Sequence, residues 1–156
     1  MIRQGDGHIV NTASLAGLVP SPMLAPYAMT KHAVVGLSTS LRPEAAQHGV
    51  RVTALCPGPT ETPILDSRGP RDLPPHEGLS ARTLLTKVAG GIYPVERLVT
   101  DLIDGIARNK AYIVTPRQAR LAWLVQRLMP SYLEKHATRL VGWAKRENER
   151  LERANS

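Results

Sequence analysis

A serine, a tyrosine and a lysine near the N-terminus have the spacing of a proton-transfer site. Tyr27 and Lys31 are four residues apart, so in a helix they lie one turn apart on the same face. A lysine ammonium held near a phenol favours the phenolate and lowers a pKa that is ordinarily about 10. The phenol then becomes a usable general acid or base near neutral pH. Ser14, thirteen residues before the tyrosine, supplies a hydroxyl that can hold the substrate oxygen that gains or loses the proton.

Two short apolar segments on either side of this trio predict parallel strands. Gly7–Thr12 is a predicted buried strand, and Ser14 follows its C-terminal end. Val50–Cys56 is β-branched and mostly apolar, and the turn Pro57-Gly58-Pro59 closes it. Because no hairpin signal lies between the two segments, the pattern predicts a helical crossover on a parallel sheet, and therefore an α/β fold.

The helix that carries the tyrosine and the lysine is predicted from about Pro26 to about Gln47. A proline suits the first turn of a helix, and Gly49 suits its C-terminal cap. Pro43 lies inside the predicted helix, where it removes a hydrogen bond, so we expect a bend there or an earlier helix end. The apolar residues follow a period of 3.6; they are Ala33, Val34, Leu37, Leu41 and Ala45.

The second half of the chain is predicted to be a long loop, four helical segments and a short strand. The loop runs from Thr60 to about Leu79 with four prolines, and a loop of this length is more often a lid or binding loop than a plain connection. The other predicted elements are helices near Ala81–Val88 and Pro94–Arg108, a strand at Ala111–Thr115, and helices at Gln118–Met129 and about Tyr132–Leu151.

Length and composition describe one modest globular domain. The chain has 156 residues, is 42% hydrophobic and contains no phenylalanine, so the core must be mostly aliphatic residues and alanine. The single cysteine, Cys56, excludes an intramolecular disulfide, and the five histidines have no metal-ligand spacing, so we predict no metal site. The N-terminus lacks the apolar segment of a secretory signal, and we expect a cytoplasmic protein.

The C-terminal part of the chain is basic. From Arg117 onward there are nine Lys/Arg and four Asp/Glu, so +5 of the formal charge of +7 lies there. In the helix at 118–129, Leu121, Leu124, Val125 and Leu128 form an apolar stripe, and Arg120, Trp123 and Arg127 form another. The stripe of Arg120, Trp123 and Arg127 can make peripheral contact with an anionic membrane, as interfacial helices do. The alternative is a helix that packs on the sheet or at the subunit interface of a homo-oligomer, with solvated arginines. No nucleic-acid-binding motif is present.

Several motifs together resemble the short-chain dehydrogenase/reductase family. They are the segment 7–17 (Gly-His-Ile-Val-Asn-Thr-Ala-Ser-Leu-Ala-Gly), the Tyr27-x-x-x-Lys31 pair, and Pro57-Gly58 followed by Thr62. The order and the gaps match, including the thirteen residues from serine to tyrosine. The resemblance covers roughly residues 1–116 and corresponds to the C-terminal half of such a domain, which is a Rossmann-type doubly wound parallel sheet; residues 117–156 form a basic amphipathic helical tail.

The resemblance implies an NAD(P)-dependent oxidoreductase that acts on a small-molecule alcohol or carbonyl. Tyr27 would be the catalytic acid/base, Lys31 would assist it and bind the nicotinamide ribose, and Ser14 would orient the substrate oxygen. The turn at Pro57-Gly58 would border the nicotinamide, with Thr62 near the cofactor phosphates. The loop 63–79 and the helix after it would cover the substrate.

Parts of the family pattern are missing from this sequence. No G-x-x-x-G-x-G phosphate loop occurs in it, and a pyrophosphate therefore lacks its usual helix N-terminus. The residue that distinguishes NAD from NADP and the family's catalytic asparagine are absent with it, so the sequence leaves NAD or NADP open. The expectation is a truncated enzyme; the alternative is a non-catalytic fragment or interaction protein, membrane-associated through its tail.

The missing phosphate loop leads to a prediction about activity. The purified 156-residue chain should have little or no oxidoreductase turnover, because the pyrophosphate has no cradle. The check is NAD(P)H absorbance with a panel of alcohols and ketones. Robust turnover by the purified chain would contradict the prediction.

Overall fold

The computed structural model describes residues 1–67 and 80–155. The strands are β1 (Gly7–Thr12), β2 (Val50–Pro57) and β3 (Tyr112–Thr115). The α-helices are α1 (Ala25–Ala46), α2 (Ala81–Ala89), α3 (Val95–Ala107), α4 (Arg117–Leu128) and α5 (Pro130–Asn155). Short 3-10 turns occur at Ile2–Gln4, Leu15–Gly17 and Pro63–Asp66. The rest of the predicted loop 60–79, from residue 68 onward, lies outside the described residues.

The three strands form one parallel sheet in the order β1-β2-β3. Gly7 pairs with Val50 at the start of β1, and Thr12 pairs with Leu55 at its end. On the other side of β2 the pairing runs from Ala54 with Tyr112 to Pro57 with Thr115. The predicted parallel α/β crossover is therefore confirmed, and the carboxyl ends of all three strands meet at one edge of the sheet.

Helices cover both faces of this sheet. On one face, Ala54, Cys56 and Val114 form a buried cluster on which Val34 and Val35 of α1 pack. On the other face lies Ile113, which is paired with Leu55. A Cβ added to Gly105 of α3 would overlap the Ile113 side chain, so α3 packs directly on this second face. Coverage on two faces is what a parallel sheet requires.

Side chains of α1 bind both neighbouring strands and fix the helix on the sheet. The Asn11 amide of β1 donates to the buried Ser38 hydroxyl of α1 at 3.1 Å. Arg42 of α1 donates to the Val52 carbonyl of β2 and to the Asn109 carbonyl, the latter at 2.7 Å. The Val52 carbonyl lies just before β3 begins to pair, and the guanidinium satisfies it there.

Helix α1 continues through Pro43, so of the two expected outcomes the earlier helix end is wrong, and the bend stays a prediction. A proline inside a helix removes one backbone hydrogen bond. The last turn is nevertheless held by packing, because Ala45 is buried against Val50 and Val52, with Leu41 beside them. Tertiary burial therefore outweighs the local penalty, and the helix ends at Ala46, one residue before the predicted position.

Helix α4 packs on the sheet with a different side from its leucine stripe. Ala119 is buried in the core cluster, and the Trp123 ring lies 5.0 Å from the Tyr112 ring of β3. Leu121, Leu124 and Leu128 point away and are exposed. The alternative in which α4 packs on the sheet is thus observed for the Ala119–Trp123 side, and the leucine stripe is left without a cover among the described residues.

Candidate functional site

Tyr27 and Lys31 lie side by side in the first two turns of α1. The Lys31 ammonium is 5.6 Å from the centroid of the Tyr27 ring. It also donates a hydrogen bond to the Thr12 carbonyl, at the C-terminal end of β1, over 3.1 Å. Tyr27 is 43% exposed, so its phenol is accessible from solvent. The structure therefore brings together an accessible phenol and an ammonium at the carboxyl edge of the sheet, which is where ligands bind in open α/β sheets.

Ser14 begins the 3-10 turn that follows β1. Its backbone is extended, and its hydroxyl oxygen accepts a hydrogen bond from the Ala16 N–H at 3.1 Å. The hydroxyl proton is not used in that contact, so it remains available to a ligand oxygen. Ala13 keeps pairing with β2 through its N–H, which donates to the Leu55 carbonyl at 2.8 Å. The serine thus sits on a turn anchored to the sheet on one side.

Gly17 allows this turn to approach the helix that carries the tyrosine and the lysine. A Cβ at Gly17 would lie 2.5 Å from the Lys31 carbonyl oxygen and 3.1 Å from Val35 Cγ2. Real side chains do not come that close to a backbone oxygen, so only glycine fits here. Gly17 is therefore a positioning residue, because it sets the distance between the turn of Ser14 and the helix of Tyr27.

The predicted cofactor-contact residues lie where β2 ends. Pro57 is the last residue of β2, and the Gly58 N–H donates to the Thr115 carbonyl of β3 at 2.7 Å. Thr62 is half-buried and is the residue just before the turn at Pro63–Asp66; its hydroxyl donates to the Thr60 carbonyl at 3.4 Å. Pro57 and Gly58 share the carboxyl edge of the sheet with Ser14 and Lys31, and Thr62 lies farther along the segment that follows β2.

A half-buried carboxylate holds the segment after β2 in place. The Asp101 carboxylate of α3 accepts hydrogen bonds from the buried Thr115 hydroxyl and, at 3.1 Å, from the Tyr93 hydroxyl. The backbone of Tyr93 pairs with this segment, because its N–H donates to the Pro59 carbonyl and its carbonyl accepts from the Glu61 N–H, both at 2.8 Å. Residues 58–61 are thereby held between β3 and Tyr93.

Arg82 fastens α2 to the turn at Pro63–Asp66. Its guanidinium donates to both oxygens of Glu61, at 2.8 and 2.7 Å, and to both oxygens of Asp66, at 2.9 and 2.8 Å. These hydrogen bonds hold the pKa values of the Glu61 and Asp66 carboxyls below their usual range. We call this group, Arg82 with Glu61 and Asp66, the arginine clasp.

Cys56 lies behind the site and takes no part in it. Burial raises the pKa of its thiol to about 11, an effect that a hydrogen bond involving the Ser14 backbone partly opposes. The thiol is therefore protonated at neutral pH and acts as a small apolar side chain. Within residues 1–67 and 80–155, no group of three or more His, Cys, Asp or Glu side chains is arranged to hold a metal ion.

Sequence patterns alone missed the positioning residues. Gly17 is the last residue of the family motif at 7–17. Its contact with the Lys31 carbonyl nevertheless depends on how the turn packs, which the motif does not indicate. Asp101 sits among the apolar positions of α3, and this interruption is a weak signal of a buried polar contact. Arg82 gave no signal, because its two acidic partners lie 16 and 21 residues away in the chain.

Comparison with known sequences now gives the class of protein. A family model described as "short chain dehydrogenase" matches residues 1–72, the part that holds β1, α1 and β2. The Oxidoreductase UcpA of Escherichia coli (strain K12) is 41% identical over 106 residues, which is 67% of this chain and 38% of that protein. The chain thus spans well under half the length of this curated relative.

Solved structures agree with the sequence comparison. A short-chain dehydrogenase/reductase from Burkholderia phymatum in complex with NAD superposes with a TM-score of 0.65 and 29% identity, covering 85% of this chain and 51% of that one. A short-chain dehydrogenase from Sphingobium yanoikuyae in complex with NADPH gives a TM-score of 0.62 at 24% identity, covering 86% and 47%, and supports the fold alone. The chain belongs to the short-chain dehydrogenase/reductase family, which confirms the resemblance seen in its motifs.

The close contact at Gly17 leads to a prediction about stability. Replacing Gly17 with alanine should lower the free energy of unfolding by about 1–3 kcal/mol, because the added methyl group collides with a backbone oxygen. Urea denaturation followed by circular dichroism measures this change.

Gly36, also next to the contact region but on the open side of α1, provides the matched control. Nothing lies within 4 Å of a Cβ added there. Gly36→Ala should therefore raise stability by up to about 1 kcal/mol, as alanine does in a helix interior. Equal effects of Gly17→Ala and Gly36→Ala would show that the turn does not depend on the close approach.

The arginine clasp leads to a prediction about pH. Because the pKa values of Glu61 and Asp66 are lowered on folding, the clasp stabilises the protein fully above about pH 5, and this contribution is lost as the pH falls through about 4 and below. In Arg82→Gln both carboxyl pKa values should rise to the ordinary range. Carboxyl-carbon NMR titration measures them directly. The control is Arg97→Gln on α3, which should leave both values unchanged; unaltered values in Arg82→Gln would refute the clasp.

Proposed function

We propose that this chain carries the proton-transfer half of an NAD(P)-dependent oxidoreductase that acts on small-molecule alcohols or carbonyls. The observation that supports it most is the ammonium of Lys31, which binds the Thr12 carbonyl and lies one helical turn from an accessible phenol, that of Tyr27. The hydrogen bond to the Thr12 carbonyl fixes the position of the Lys31 ammonium. Its charge therefore stays beside the Tyr27 ring, 5.6 Å from the ring centroid.

The chemistry divides between the protein and a nicotinamide dinucleotide. The dinucleotide supplies hydride transfer to or from the substrate carbon. Tyr27 exchanges a proton with the substrate oxygen, as phenolate in oxidation and as phenol in reduction. Lys31 stabilises the phenolate and binds the nicotinamide ribose. Ser14 donates its free hydroxyl proton to the substrate oxygen and so orients it.

Residues at the end of β2 would hold the nicotinamide part of the cofactor. Pro57 and Gly58 lie at the same sheet edge as Lys31, the Tyr93–Asp101 contacts hold residues 58–61 in place, and Thr62 follows directly after them. The related structure from Burkholderia phymatum, which is described in complex with NAD, supports a nicotinamide dinucleotide as the cofactor. The proposal leaves NAD or NADP open, since the sequence lacks the segment in which the family distinguishes the two cofactors.

The share of the family domain that this chain spans limits the activity we assign to it. Residues 1–116 would form the C-terminal half of the catalytic domain and residues 117–156 a helical tail. Since the sequence has no Gly-rich phosphate loop, low turnover by the chain alone stays a prediction.

A non-catalytic interaction protein is the second candidate. It is supported by the free edge of β1, which pairs with β2 alone among the described strands and can accept another strand from a partner or from a second copy. Cofactor binding separates the two candidates, because an interaction protein has no need to bind a dinucleotide.

The experiment is ligand-observed NMR of NAD and NADPH with the 156-residue chain. Saturation should transfer mainly to the nicotinamide and its ribose, because the proposed contacts lie there. Lys31→Met should weaken binding at least about tenfold through loss of a charged hydrogen bond. Tyr27→Phe should keep most of the binding while lowering any measurable turnover by at least about 100-fold.

Matched control variants exist on α5. Tyr132 is exposed, as Tyr27 is, and Lys135 follows it by three residues. Tyr132→Phe and Lys135→Met should change neither binding nor turnover. Absence of saturation transfer at millimolar cofactor, or equal losses in Lys31→Met and Lys135→Met, would refute the oxidoreductase proposal and favour the interaction protein.

A further inference from the structure

The α4–α5 corner exposes a continuous set of large apolar side chains. We call this set the leucine face; its members and their exposed fractions are Leu121 (61%), Leu124 (50%), Leu128 (71%), Met129 (58%) and Tyr132 (58%). The three leucines follow one another at intervals of three and four residues, so they lie along one side of α4. Met129 and Tyr132 extend the face across the junction to α5. Apolar surface that is clustered in this way marks an interaction site.

Contacts on the opposite side of α4 fix the leucine face outward. Ala119 is buried in the core, and Trp123 packs on the Tyr112 ring. The Arg120 side chain donates through Nε to the Val114 carbonyl at 2.6 Å. Rotating the helix to bury the leucines would break all three contacts. Exposure of the leucine face is therefore imposed by the packing of the helix on β3.

The charge around the leucine face identifies its partner. Residues 117–132 contain Arg117, Arg120 and Arg127 and no aspartate or glutamate. All three arginines are exposed residues. Arg120 is held on the sheet side by the Val114 carbonyl, so a second copy docking here would bring four guanidinium groups together, those of Arg117 and Arg127 from each copy, with no acidic partner from this segment. An anionic lipid surface instead neutralises them, while its acyl region receives the leucines.

We propose that the leucine face binds an anionic membrane surface, with α4 lying in the plane of the interface. Helix α4 has 12 residues and is therefore about 18 Å long. No helix in the described part of the chain is both long and apolar enough to cross a membrane. The arrangement of leucines with flanking arginines is that of an interfacial helix. This proposal uses no residue of the proposed oxidoreductase site and is independent of it.

The test is vesicle co-sedimentation of the 156-residue chain. Vesicles of phosphatidylcholine with 30% phosphatidylglycerol are compared with pure phosphatidylcholine, each at low and high salt. The chain should bind the anionic vesicles, and binding should fall with salt and with loss of the anionic lipid. Leu121→Gln/Leu124→Gln/Leu128→Gln should weaken binding at least about tenfold, because the apolar insertion is lost. Arg117→Gln/Arg127→Gln should weaken it and remove most of the salt dependence.

Controls with the same chemistry are available on α3. Val99 and Ile103 are exposed apolar residues there, and Val99→Gln/Ile103→Gln should bind as the parent chain does. Arg97→Gln on α3 is the control for Arg117→Gln/Arg127→Gln, and it should also bind vesicles as the parent chain does. Circular dichroism confirms that each variant is folded.

Three results would overturn the proposal. They are equal vesicle binding by the leucine variant and the parent chain, no binding to anionic vesicles at all, or self-association without lipid that the leucine substitutions abolish. The last result would assign the leucine face to contacts between copies of the chain, and sedimentation velocity detects it.

Discussion

The hydrogen bond from the Lys31 ammonium to the Thr12 carbonyl is the contact on which the site depends. A lysine side chain is long and has many rotamers, and without a fixed acceptor its charge would be spread over a wide volume. The acceptor is the backbone carbonyl of Thr12, the last residue of β1. The position of the ammonium is therefore fixed relative to the sheet. Tyr27, one turn earlier on α1, then has its surroundings set by the same contact.

Other constraints keep that hydrogen bond in register. Asn11 and Ser38 tie the middle of α1 to β1, and Arg42 ties its last third to β2. Gly17 permits the turn after β1 to lie against the backbone of Lys31. Each of these contacts joins α1 to a different part of the sheet or of the turn that follows β1. Together they allow little sliding of the helix, and they hold the proposed proton-transfer residues in place without direct hydrogen bonds between those residues.

Much of this arrangement could be predicted from the sequence, since it follows from local spacing. The four-residue interval between Tyr27 and Lys31 implies a shared helix face, and the apolar segments around them imply parallel strands. The parallel fold and the family were both correctly predicted. The roles of Ser14, Pro57, Gly58 and Thr62 stay predictions, because their position at the sheet edge is observed but no ligand contact tests them.

The errors and omissions came from tertiary contacts that spacing does not encode. Pro43 has a known local cost, yet burial of Ala45 against β2 keeps the helix intact beyond it. The leucines of α4 form the more apolar stripe, but Trp123 and Ala119 fit the space beside β3 and turn the leucines outward. Asp101 and Arg82 act through partners that are distant in the chain, so nothing near them in the sequence indicates their contacts.

The double coverage of β2 has a consequence for how the molecule opens. Of the described strands, it alone has a strand on each side, and helices lie above and below the sheet. Transient openings of β1 or β3 leave β2 paired on one side, so its amide hydrogens should exchange with solvent more slowly than those of any neighbour. The turn at Pro57-Gly58 directly follows β2, the strand whose amides should exchange most slowly. Ser14 instead follows β1, which has a described strand on one side only. The Pro57-Gly58 side of the site is therefore attached to the strand that opens least often, and the Ser14 side to an edge strand that opens more often.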